Sequence, residues 1–184
     1  MGVVKFGPGA LLYGRFRLSA IIGRGGMGEV WSAIDEQSGT DVAVKTLRTS
    51  ALANPDLVLR FEREMEAMDR LSALPSPHLT KLLASAGTPQ PYMVLERVIG
   101  QSLEERLHEV HVLAPDELRP IIRQVLETLV VLHGANIIHR DLKPSNVLLT
   151  FRGTTVVKLI DFGVAKLVGD DAFTTDGATV GSLA

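Results

Sequence analysis

Short β-prone runs of apolar and polar residues, separated by glycines, occupy the first quarter of the chain. Arg15 to Gly23 and Glu29 to Asp35 are β-prone runs on either side of Gly23-Arg24-Gly25-Gly26-Met27-Gly28, which predicts a hairpin with a glycine-rich tip. Asp41 to Leu47 alternates, with Ala43 and Lys45 on one strand face and Val42 and Val44 on the other. The period then changes. Asn54-Pro55 has the form of a helix cap followed by a first-turn proline, and Phe61, Met65, Met68 and Leu71 recur at helical spacing up to Pro75. Leu79 to Ala86 and Tyr92 to Val98, parted by a Gly87 to Pro91 turn, return to strand character and bring the predicted sheet to five strands.

Helical spacing resumes in the second half. Ser102-Leu103-Glu104-Glu105 is a capping box opening a short helix through about His108. Ile121, Ile122, Val125, Leu126, Leu129 and Leu132 then form a wide apolar stripe, with Gly134 placed as the C′ stop. Pro115 suits a first turn, whereas Pro120 implies either a kink or a helix that begins near Pro120 itself.

Composition narrows the class without naming it. Hydrophobic residues make up 46% and charged residues 22% of the 184, as in folded globular domains. A net charge of −2 supplies no basic field, so nucleic acid is not an expected partner and neither is an anionic membrane surface. There is no cysteine, hence no disulfide framework and no thiolate nucleophile, which fits a reducing, cytoplasmic setting. No apolar run approaches the ~20 residues of a membrane span, so no membrane contact is expected within this chain. Residues 1–14 read as a flexible leader, with Phe6 where a myristoylation start would carry Ser or Thr.

The chemistry concentrates in Ile138-His139-Arg140-Asp141-Leu142-Lys143-Pro144-Ser145-Asn146-Val147-Leu148-Leu149 and, after a turn-rich stretch, Asp161-Phe162-Gly163. Asp141 can accept a hydroxyl proton, Lys143 can balance charge on a moving phosphoryl group, and Asn146 with Asp161 can hold magnesium. Upstream, glycines let backbone N–H groups approach phosphate closely. A dinucleotide site would need a helix directly after Gly28, and Val30, Trp31 and Ile34 lead into a strand instead. Glu64 lies beside the apolar stripe of its helix, within reach of Lys45, with Glu62 and Glu66 as rival acids.

With these motifs the chain resembles the protein kinases, of the bacterial eukaryotic-like type, and Lys143 two residues after Asp141 points to the serine/threonine branch. The resemblance implies an α+β, bilobal fold: residues 15–97 as an N-lobe with a five-stranded antiparallel sheet and one regulatory helix, and 98–184 as the hinge and an incomplete helical C-lobe. It implies ATP and Mg2+ as cofactors, and protein substrates with serine or threonine acceptors. Catalytic roles fall to Asp141, Lys143, Lys45 and Glu64. Nucleotide contacts fall to Ile22, Gly23, Arg24, Gly25, Gly26, Met27, Gly28, Glu29, Val30, Ala43, Lys45, Glu96, Val98 and Leu148, with Leu95 as gatekeeper, and metal binding to Asn146 and Asp161. Arg140 and Lys166 would grip a phosphate placed on Thr174, Thr175 or Thr179, Gly181-Ser182 would lie near the substrate hydroxyl, Phe162 would pack on the Glu64 helix, and His139 would be a packed structural histidine.

Relative to that family the chain stops within the activation segment, so the expected assignment is a catalytic fragment that lacks part of its helical platform. Two readings follow. One is a serine/threonine protein kinase; the other is a non-catalytic nucleotide-binding or interaction module.

Overall fold

The computed structural model describes residues 6–26, 28–87, 90–151 and 153–161, together with the backbone of 166 and 167. The strands are β1 (Leu11–Leu12), β2 (Phe16–Arg24), β3 (Gly28–Asp35), β4 (Thr40–Leu47), β5 (Leu82–Ala86), β6 (Tyr92–Glu96), β7 (Gln101–Ser102), β8 (Ile137–Ile138), β9 (Val147–Phe151), β10 (Thr155–Leu159) and β11 (Lys166–Leu167). The helices are α1 (Pro55–Ser72), α2 (Leu103–Val110) and α3 (Pro115–Gly134). The first six strands form one antiparallel sheet in the order β1-β2-β3-β4-β6-β5.

The sheet therefore has six strands where five were expected. The addition is β1: Leu11 pairs with Arg17 and Leu12 with Phe16, and the Gly9 N–H donates to the Leu18 carbonyl at 2.8 Å. Leu12 is fully buried beside Phe16, Leu18 and Trp31, so the end of the expected flexible leader is tied to the sheet by an apolar anchor. Arg15 then clamps β2 to the far end of β3 through two 2.8 Å hydrogen bonds to the Asp35 carboxylate, which this guanidinium holds far below the usual carboxylate range.

Alternation in β4 sorts its side chains as expected. Val42 and Val44 enter the apolar cluster on one sheet face with Trp31, Tyr92 and Val94, while Leu47 joins the second cluster. That second cluster is built by Phe61, Met68 and Leu71 of α1, Ile121, Val125 and Leu132 of α3, and Val157 and Leu159 of β10.

Local chemistry sets the helix ends. The Asn54 side chain accepts from the Asp56 N–H at 3.0 Å, and Ser102 and Glu105 cap each other reciprocally. Helix α3 begins at Pro115 and runs unbroken through Pro120. Only the Asp116 carbonyl, at the solvent-facing first turn, lacks its helical donor, which is why neither a break nor a late start is needed. Gln124 then docks α3 on β10, donating to the Thr155 carbonyl at 3.0 Å and accepting from the Val157 N–H at 2.9 Å. Gly134 is the last helical residue rather than the stop. The left-handed residue after the Ala135 cap is Asn136, at φ 58°.

Between the sheet and the helices, β7 pairs with β9, which pairs with β10. Gly100 enters this layer so closely that a Cβ there would lie 2.4 Å from the Leu149 carbonyl oxygen. Gly100→Ala should therefore lower stability by about 1–3 kcal/mol through forced displacement of β7. Gly134→Ala, which meets open space, should stay within about 0.5 kcal/mol of the parent. Urea midpoints of the two variants check this.

Candidate active site

The site forms where β4, α1 and the segment after β10 converge. Lys45 is opposite Val30 and Met93 in the sheet, and its ammonium hydrogen-bonds the Glu64 carboxylate and, at 3.1 Å, Asp161 Oδ1. Glu64 is buried on the flank of α1, with Phe61 and Met68 on either side, so the expected partner is the one the helix presents. Burial by itself would lower the Lys45 pKa, but the Glu64 and Asp161 carboxylates more than reverse that and hold it raised. Burial pushes the Glu64 carboxyl up against the pull of Lys45. Among the described residues its second oxygen is buried without a hydrogen-bond partner.

A second network carries the proposed base. Arg140 sits at φ 60° and the Asp141 N–H donates to the His139 carbonyl at 2.8 Å, a γ-turn that projects Asp141 from the loop. Lys143 Nζ donates to Asp141 Oδ2 at 2.8 Å, and Asn146 Nδ2 donates to the Asp141 carbonyl at 2.8 Å and to Oδ2 at 3.0 Å. The Lys143 hydrogen bond, with that from Asn146, holds the Asp141 carboxyl below its ordinary range, so it stays ionised near neutral pH. The two networks meet at the backbone, where the Ile160 N–H donates to the Asn146 carbonyl at 3.0 Å, directly before Asp161. Lys45, Asp141, Asn146 and Asp161 are thus joined by hydrogen bonds and the Ile160–Asp161 peptide link.

The glycine tip divides in two. Gly25 and Gly26 have open space around any added Cβ, and the Gly25 N–H donates to the Gly28 carbonyl at 3.0 Å. Gly28, by contrast, would place a Cβ 2.1 Å from the Thr46 carbonyl oxygen. Strand packing alone therefore demands glycine at 28. Ala43 pairs with Leu95 and is buried, and Leu148 faces away from its neighbours Val147 and Leu149, which belong to the core below. Ile22, Gly23, Arg24, Glu29 and Val30 lie along the hairpin, and Glu96 and Val98 at the crossing to the helical part. Met27, Phe162, Gly163, Thr174, Thr175, Thr179, Gly181 and Ser182 lie outside the described residues. The backbone of Lys166 pairs with Ile138, two residues before Arg140.

Hard oxygen donors suit magnesium. Asn146 uses its amide nitrogen on Asp141, its side-chain oxygen accepts no hydrogen bond among the described residues, and the Asp161 carboxylate is exposed. Among the described residues no three His, Cys, Asp or Glu side chains could hold a metal by themselves. Magnesium held by Asn146 and Asp161 would complete its shell with phosphate and water oxygens, as that ion commonly does.

Two residues escaped the sequence reading. Lys158 donates to Glu96 Oε2 at 2.8 Å, and Thr80 Oγ1 donates to the Leu159 carbonyl at 2.8 Å. The available signal was a lysine inside the apolar run Val156-Val157-Lys158-Leu159-Ile160.

The sequence matches the protein kinase domain family over residues 16–182. Similar curated proteins include the probable serine/threonine-protein kinase PknB of Corynebacterium glutamicum, 41% identical over 172 residues covering 91% of this chain and 26% of that protein. Serine/threonine-protein kinase PknB of Mycobacterium leprae is 36% identical, with 90% and 27% covered. Serine/threonine-protein kinase PknA of Mycobacterium tuberculosis is 34% identical, with 95% and 41% covered. The chain belongs to the protein kinase domain family, with bacterial serine/threonine kinases as relatives. It spans between about a quarter and two-fifths of the length of these relatives.

His139 supplies a pH test of the folded loop. It is buried, and burial lowers its pKa despite opposing attraction from Asp141 and Asp161. The unfolded chain, with an ordinary histidine near pKa ~6.5, binds more protons below that pH than the folded chain does. This contribution to stability is therefore full above about pH 7 and declines as pH falls through about 6.5. Chemical denaturation from pH 7.5 to 5.5 should show this slope, and His139→Asn should flatten it.

Proposed function

We propose that this chain carries the nucleotide-binding and phosphoryl-transfer site of an ATP-dependent serine/threonine protein kinase. The supporting observation is that two hydrogen-bonded sets, Glu64 with Lys45 and Asp161, and Asn146 with Asp141 and Lys143, are tied together by the Ile160 N–H on the Asn146 carbonyl, one residue before Asp161. Each member has a separate task. The backbone around Gly25 and Gly26 is open enough to meet phosphate oxygens. Lys45, held charged, would contact the phosphates nearer the nucleoside, with Glu64 fixing its direction.

Asp141, ionised and aimed by Asn146 and Lys143, would orient the acceptor hydroxyl of a serine or threonine and take its proton as the new O–Pγ bond forms and the bond to the β-phosphate oxygen breaks, releasing ADP. Lys143 is exposed beside it and would offset charge on the transferred group. Magnesium, held by Asn146 and Asp161, would neutralise charge that builds on the phosphoryl oxygens. Glu96 and Val98 would meet the adenine edge through their backbone.

The test uses this chain with magnesium, ATP and a serine- and threonine-containing protein acceptor. Asp141→Asn should retain ATP binding and lose about 10²-fold or more in γ-phosphoryl transfer. Transfer at the parental rate would remove Asp141 from this role. Magnesium-dependent ATP binding by the parent without any transfer would instead support a nucleotide-binding module.

A further inference from the structure

The segment joining α1 to β5 is fastened to β10 at residues 78–80. The His78 ring donates through Nδ1 to the Val157 carbonyl at 2.9 Å, and the Leu159 N–H donates to the His78 carbonyl at 2.8 Å. Thr80 bonds the Leu159 carbonyl through its hydroxyl at 2.8 Å and its N–H at 3.4 Å, and Leu79 bridges Leu159 in parallel register. Two residues beyond Leu159 is Asp161. The helix that carries Glu64 and the strand that delivers Asp161 are therefore coupled through backbone as well as through Lys45.

Lys158 extends this coupling to the adenine side. Its ammonium reaches Glu96 Oε2 at 2.8 Å and the Leu79 carbonyl at 3.4 Å, with only 14% of its side chain exposed. Glu96 ends β6 and pairs with Val42, and its N–H donates to the Lys81 carbonyl at 2.8 Å. One ammonium thus bridges three points: the strand leading to Asp161, the segment after α1, and the last residue of the sheet before the chain crosses to the helical part.

An ion pair this sheltered is screened less than a surface pair, and removing one partner leaves the other poorly solvated. Nothing in phosphoryl transfer requires a cation there. Lys158 is separate in role from Lys45, assigned above to the phosphates nearer the nucleoside, and from Lys143, assigned to the transferred group.

We propose that Lys158 is a positioning residue for nucleotide, setting through Glu96 the spacing between the backbone at 96–98, which would meet the base, and the Asp161 carboxylate, which would hold the magnesium of the phosphates. The inference rests on the nucleotide-site reading above. It concerns the side chain of Glu96, whereas the base contact uses that residue's backbone. Because the two ends of one ligand bind on either side of this brace, a shift between them costs affinity only for a molecule that spans both.

The experiment compares parent, Lys158→Met, Glu96→Gln, the double variant and Lys158→Arg. Amide hydrogen exchange is followed at residues 79–82 and 96–98 without nucleotide, and calorimetry measures magnesium-dependent binding of ATP and of inorganic tripolyphosphate. Each single variant should accelerate exchange at both segments and weaken ATP binding about five- to tenfold. Tripolyphosphate binding should stay within about twofold, the double variant should be no worse than the singles, and Lys158→Arg should recover most of the loss. General loosening of the fold would weaken both ligands alike and would overturn the proposal, as would unchanged exchange at both segments. A parent that binds neither ligand would refute the nucleotide-site reading and, with it, the positioning role, while the exchange data alone would then decide whether the brace exists. Additive losses in the double variant would also count against it.

Discussion

The ammonium of Lys45, largely shielded from solvent, is the constraint around which the rest is arranged. An uncompensated charge at that depth costs several kcal/mol, so the fold must bring carboxylates to it. They come from different places: Glu64 from α1, and Asp161 from the end of the β10 run. Satisfying one cation therefore ties together the antiparallel sheet, its packed helix and the strand layer beneath. The same requirement explains why an acid can sit nearly buried among Phe61, Met68 and Leu71 on an otherwise apolar helix face.

Backbone geometry does comparable work in the loop around Asp141. Arg140 and Asp161, both non-glycine, adopt left-handed φ values of 60° and 58°. Such conformations persist only where surroundings over-determine them. Here the His139 to Asp141 turn, the Asn146 side chain and the Ile160 to Asn146 bond supply that determination. The result is that Asn146 holds Asp141 through its side chain and, through its carbonyl, the residue directly before Asp161.

How much of this could be read beforehand depended on how local the controlling interaction is. The alternation of β4 put Lys45 and Ala43 on one face, and the Asn54 cap and the Ser102–Glu105 box marked helix starts, because each effect lies within a few residues. Glu64 could be favoured over Glu62 and Glu66 from its helical phase beside the apolar stripe. Pro120 is ambiguous in sequence since its cost depends on whether the Asp116 carbonyl is solvated, and the helix end is shifted from Gly134 because Asn136 also adopts the left-handed state. The edge strand β1 was invisible because its two residues carry no periodic signal and are held by Phe16, Leu18 and Trp31 from elsewhere in the chain.

Residue types and short-range spacing determined the chemistry on offer: a cation on a strand, an acid on a helix flank, an aspartate and an asparagine in one loop, and a second aspartate after an apolar strand. Those choices follow from side-chain periodicity and hydrogen-bonding capacity, which are properties of neighbours in sequence. Tertiary structure alone decided that Lys158 would find Glu96, that Gly28 would be required by Thr46, and that segment 78–80 would run beside 157–159. Each of these joins residues far apart along the chain through close backbone approach or partial burial, and such distances are set only when the sheet and helices pack.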